Sequence, residues 1–166
     1  MSTPVVTGFD DSDTGVDVDR WVELAAVALV HEGITGGELT LVFVDEDEIA
    51  ELHLEFLGEP GPTDVLSFPI DVDDEDGPTT GIADEDIPML LGDIVVCPSV
   101  AARNAPEHAG TVDDELALLV VHGVLHVLGH DHADDDETQR MRARERAVLE
   151  ACHWRGPAPA TFTAHR

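Results

Sequence analysis

The run His122-Gly123-Val124-Leu125-His126-Val127-Leu128-Gly129-His130-Asp131-His132 constrains this chain more than any other stretch. On a helix, His122 and His126 stand one turn apart on the same face, with Cβ atoms about 5–6 Å apart. Two imidazoles at that spacing can share one metal ion. His132 follows six residues after His126, roughly 240° further round a helix of 3.6 residues per turn. It joins the other two only where the helix stops. Gly129 is placed to supply that stop, because glycine takes the left-handed conformation that closes a helix. A single histidine on an apolar helix face is normally a satisfied core residue. Three at ligand spacing, with the glycine that returns the third, predict a metal site. Three imidazoles with an open fourth position suit catalytic zinc better than a closed structural site. Nickel and copper also suit imidazole.

His130 and Asp131 lie inside the same run. Three roles stay open for Asp131. It can orient a ligating imidazole by accepting its other N–H, activate water, or cap the next helix. Metzincin proteases carry H-E-x-x-H-x-x-G-x-x-H, with histidines and glycine at the same positions and the glutamate as general base. Here Gly123 stands where that glutamate would be. The cage is expected without the peptidase base, so a metalloprotease is a disfavoured alternative.

Two further blocks stand out. Pro62-Thr63-Asp64-Val65-Leu66-Ser67-Phe68-Pro69 and Leu91-Gly92-Asp93-Ile94-Val95-Val96-Cys97-Pro98 precede the histidine run. In that order, the three blocks resemble the signatures of the YbeY family, bacterial metal-dependent endoribonucleases linked to ribosomal RNA maturation. The resemblance covers roughly residues 39–149. It implies that His122, His126 and His132 are metal ligands and that Asp64 and Ser67 lie near the site. The ordinary role for those two is turn and strand hydrogen bonding. The resemblance also implies a single-strand-specific endoribonuclease acting on ribosomal RNA at the small-subunit 3′ end and in ribosome quality control, with RNA and the small subunit as partners and no DNA. The family typically places an arginine shortly before the P-T-D block. Residues 52–61 contain no Arg or Lys, and Glu55 is near that place. A non-catalytic, zinc-containing ribosome-assembly module is the alternative in a different class.

At 166 residues the chain fits one domain. We expect it to span residues 1–155, with 156–166 a flexible tail marked by Pro157 and Pro159. Cys97 and Cys152 lack C-x-x-C spacing, and no signal-peptide pattern is present, so reduced thiols and a cytoplasmic location are expected. No apolar run approaches a membrane span.

The charge is unusual. There are 36 acidic residues against 8 basic ones, and all eight are Arg. Such a balance opposes nucleic-acid binding, which draws its phosphate contacts from Lys and Arg. The periodic apolar segments exclude a disordered acidic chain. A folded protein with a salt-adapted surface reconciles the two, since the Debye length falls to about 3 Å at 1 M salt. A weakened RNA role is the other way out.

Along the chain, residues 4–9 predict a short edge strand. The spacing of Trp21, Leu24, Ala25, Ala28 and Leu29 predicts a helix closed by Gly33. Residues 38–44 read as a strand. Asp45 should cap a helix that ends at Gly58. Residues 65–68 are a short strand, 71–88 an acidic loop, and 89–96 a central strand. Ser99 is expected to cap a short helix over Val100-Ala101-Ala102. Thr111 and Asp114 form a start resembling a capping box, and a helix apolar all round must be buried. Residues 134–137 open a last helix carrying Arg140, Arg142, Arg144 and Arg146. The plain reading of these arginines is i,i+4 pairing with Glu137 and Glu150; a cationic RNA strip is the other. Strands alternating with helices indicate α/β or α+β; the resemblance to the YbeY family implies the α+β form, a mixed sheet of about four strands with helices packed on it and the metal helix central.

Overall fold

The computed structural model describes residues 3–12, 14–69, 90–129, 134–160 and 162. Four strands and five α-helices are built there, with one short 3-10 turn, Ala105–Glu107, after the third helix. The strands are β1 (Val5–Asp10), β2 (Glu38–Phe43), β3 (Val65–Pro69) and β4 (Leu90–Val96). They form one sheet in the order β1-β2-β4-β3. β1 and β2 pair in parallel, as do β2 and β4. β3 runs antiparallel to β4, with Ser67 opposite Ile94. The expected α+β class and central fourth strand are what the chain adopts.

Alternation along the strands divides the core in two. Leu39, Leu41 and Phe43 of β2 and Ile94 and Val96 of β4 face α1 (Val18–His31), α4 (Val112–Val127) and α5 (Asp135–Cys152). The intervening Leu66 and Val95 face the other way, into a smaller cluster with Ile49, Cys97 and Val100. Leu52 of α2 (Glu46–Leu57) packs against that cluster from the side. Gly8 lets β1 sit against α1, where a Cβ would collide with the side chain of Val22.

The helix starts follow from their caps. Asp45 accepts from the Glu48 N–H at 2.8 Å, and Asp134 accepts from the Glu137 N–H at 2.8 Å. Thr111 Oγ1 accepts from the Asp114 N–H at 3.1 Å. The reciprocal half of that box is absent among the described residues. Asp114 instead accepts from His153 Nε2 and Trp154 Nε1, each at 2.9 Å. The cap expected at Ser99 is corrected. Pro98, with its fixed φ, occupies the first turn of α3 (Pro98–Asn104), so Cys97 takes the cap position. Ser99 Oγ donates to Glu46 at 3.0 Å instead.

α4 is the central helix. Its residues from Glu115 to Leu125 are all buried, and it touches α1, α3, α5, β3 and β4. Leu118, Leu119 and Leu125 are fully covered, and each contributes about 1.5–3 kcal/mol by leaving water. Glu115 is also buried; its Oε1 accepts the Ala109 N–H at 3.1 Å, so the turn before α4 is tied to its first buried charge. Beyond α5, Ala158 N–H donates to Glu150 at 2.9 Å, and Phe162 meets Trp154 edge-on at 4.8 Å between centroids. No helix among the described residues is long and apolar enough to cross a membrane.

Candidate metal centre

α4 presents His122 and His126 one turn apart, as i,i+4 spacing requires. Their ring centroids are 5.9 Å apart, with 53° between the planes. His122 is buried and His126 half-buried. Both line a cleft of about 460 Å³ closed on the other side by Val65, Leu66, Ser67 and Phe68 of β3 and by Phe56 and Leu57 at the end of α2. The helix stops where the sequence predicts. The Leu128 N–H donates to Val124 O and the Gly129 N–H to His126 O, and Gly129 takes φ +101°. His130, Asp131 and His132, the expected third ligand and the two candidates beside it, lie outside the described residues.

His122 is held by a group that sequence reasoning did not single out. Its Nδ1 donates to Glu145 Oε1 of α5 at 2.7 Å. Glu145 is 2% exposed, and its Oε2 has no hydrogen-bond partner among the described residues. A buried carboxylate accepting at Nδ1 fixes the imidazole tautomer, so Nε2 carries the lone pair. That is the donor chemistry a divalent cation requires. Burial of a carboxylate with one orphaned oxygen is costly unless positive charge stands nearby, and a cation held on the far side of the ring would supply it. The signal was in the α5 pattern: Met141, Glu145, Val148 and Leu149 are its buried face, and Glu145 alone among them is charged.

Ser67 reaches the cleft wall, whereas Asp64 is not among the residues that line it. Asp64 sits buried at the head of β3, and its carbonyl accepts the Cys97 N–H at 2.9 Å. Among the described residues lining the cleft there is no Arg or Lys. Arg103 pairs with Glu46 at 2.9 Å, Arg144 with Glu32 at 2.8 Å and Arg146 with Glu150 at 3.4 Å. Three-ligand clusters of His, Cys, Asp or Glu are absent among the described residues, which exclude His132.

Gly123 faces away from the cleft. A Cβ placed there would meet Ile94 Cγ2 of β4 at 2.7 Å. α4 is therefore pressed onto the sheet at this position. The residue that supplies the base in H-E-x-x-H proteases has no room for a side chain here.

Comparison with known proteins bears on the same region. The model of the family described as Endoribonuclease YbeY matches residues 9–153. A relative in Acidothermus cellulolyticus, named Endoribonuclease YbeY, is 45% identical over 148 residues, covering 87% of this chain and 88% of its own. One of the same name in Salinispora tropica is 44% identical, covering 88% and 93%. A Thermotoga maritima protein solved in solution superimposes with a TM-score of 0.59 and 29% identity, covering 91% of this chain and 92% of that one.

Proposed function

Because the chain belongs to the endoribonuclease YbeY family, we propose that it is a metal-dependent endoribonuclease acting on single-stranded RNA, with small-subunit ribosomal RNA as its substrate. The observation that carries the reading is the pair His122 and His126 at the cleft, with His122 anchored by the buried Glu145. We assign His132 as the third ligand and zinc as the first-choice ion, one per chain. When bound, such an ion supplies Lewis acidity to water and to a phosphoryl oxygen.

The chain's own groups do the rest. Glu145 holds the Nδ1 proton of His122 and fixes the direction of the ring. Ser67 lines the opposite wall of the cleft, where its hydroxyl would be offered to a phosphate or ribose. β3 and the end of α2 make that wall largely apolar. We further propose a cytoplasmic location, in keeping with the free thiols Cys97 and Cys152. High ionic strength would screen the repulsion between an RNA and a chain of net charge −28.

One observation favours a second reading. Charge that develops on a phosphate in hydrolysis is usually met by Arg or Lys, and the described cleft wall has neither. A ribosome-assembly module whose metal is structural fits that feature. The two separate in one assay: cleavage of a single-stranded ribosomal RNA fragment in molar KCl, with and without chelator. Cleavage that the chelator abolishes and added zinc restores is expected. Absence of cleavage by fully metallated protein contradicts the nuclease reading and leaves the assembly module.

A further inference from the structure

Phe56 separates two cavities. On one side is the histidine cleft. On the other is a hollow of about 430 Å³ between α2 and the outer face of the sheet, walled by Val42, Leu52 and Val95 and reached by Thr40 and Asp93. Phe56 and Phe68 line both cavities. The two rings meet edge to face, with centroids 5.0 Å apart and planes 66° apart. Phe68 is half-buried, but Phe56 remains 57% exposed. A large aromatic ring is thus held in position by a second ring and still open to water, directly beside the histidines.

Charge decides what such a ring can receive. Neither cavity has an Arg or Lys among the described residues that line it, and the hollow carries the carboxylate of Asp93. No described arginine or lysine there can hold a nucleotide by its phosphates. Its base can be, because every base has an uncharged π face, and base–aromatic stacking tolerates any sequence. We propose that Phe56 is a stacking platform for an unpaired base of the RNA substrate beside the cleavage cleft, and that stacking takes over there the binding role usually filled by cations. The proposal rests on the reading of the chain as an endoribonuclease. It gives a physical source for single-strand preference, since a paired and stacked base offers no free face to Phe56. It also lets affinity survive molar salt, which removes phosphate contacts and spares stacking.

The test is fluorescence anisotropy in molar KCl with metal-loaded protein. Labelled 2′-O-methyl RNA strands, checked on a gel for integrity, are compared with an abasic strand of the same length and phosphate count. Phe56→Ala should weaken binding of the base-bearing strand about five- to a hundredfold. Phe56→Trp should restore it, and the abasic strand should bind the wild type as weakly as the base-bearing strand binds Phe56→Ala. Leu54→Ala is the control: Leu54 lies on the same helix, is equally exposed at 57%, and should bind as the wild type does. Equal affinity for abasic and base-bearing strands, or wild-type affinity in Phe56→Ala, overturns the platform while leaving the nuclease reading intact. A wild type with no affinity for any of these strands overturns both.

Discussion

Glu145 is the residue on which the site's design turns. Among the described acidic residues it is one of the few that are buried, and one of its oxygens accepts from His122 Nδ1 at 2.7 Å. If it orients a ligand, Glu145→Gln should leave the fold in place and lower metal affinity about 10–100-fold. The amide can still reach the ring but does not favour the same proton position or donate negative charge to it. Competition with a chromophoric chelator measures this, and an unchanged dissociation constant would reduce Glu145 to a packing residue. The position was hard to single out because its partner is 23 residues away on another helix. Only the periodicity of α5 marks it, through one carboxylate on an otherwise apolar face. The histidines were far easier to read, since i,i+4 spacing and a closing glycine are local. Gly123 lies between. Its lack of a side chain is plain in the sequence, but the reason, Ile94 at 2.7 Å, is a contact across the core.

At the scale of elements, the starts of α2, α4 and α5 were legible, because Asp45, Thr111 and Asp134 cap within three residues of themselves. The start of α3 was displaced by Pro98, whose preference for the first turn outweighs the hydroxyl of Ser99. Contacts between helices were not legible at all. Glu32, just past α1, ties that helix to α5: its carboxylate accepts from Arg144 Nε at 2.8 Å and from His31 Nδ1 at 3.2 Å. Burial works to raise the Glu32 carboxyl, and the hydrogen bonds and charges of Arg144 and His31 outweigh it, leaving the pKa below its ordinary value. A depressed folded-state pKa contributes stability that is complete above the unfolded value and is lost as pH falls through the lowered one. The melting-temperature gap between wild type and Glu32→Gln should therefore be constant above about pH 4.3 and shrink below it. A gap that does not change on acidification would show that the latch contributes no titratable stability.

For the whole molecule, the dominant fact is a net charge of −28 on 166 residues. Like charges at this density destabilise a compact chain, and salt relieves the repulsion. The melting temperature should rise between dilute buffer and molar KCl; a flat or falling curve would remove the salt-adapted reading and sharpen the conflict between this surface and an RNA partner. The alternation of strands and helices left α/β and α+β open, and the resemblance of the three motif blocks supplied the mixed sheet; the central place of β4 was legible from its apolar run. The two-sided core was not, because the sequence does not say which face α2 covers. The claim that joins these scales is that the histidine cleft is a metal-dependent nuclease centre. The most direct measurement is metal content by mass spectrometry, taken with cleavage of a single-stranded ribosomal RNA fragment at molar KCl, for wild type and His126→Ala. The account predicts one divalent ion per wild-type chain, with metal and cleavage lost together in the variant. Full metal occupancy in His126→Ala, or undiminished cleavage by it, would contradict the account.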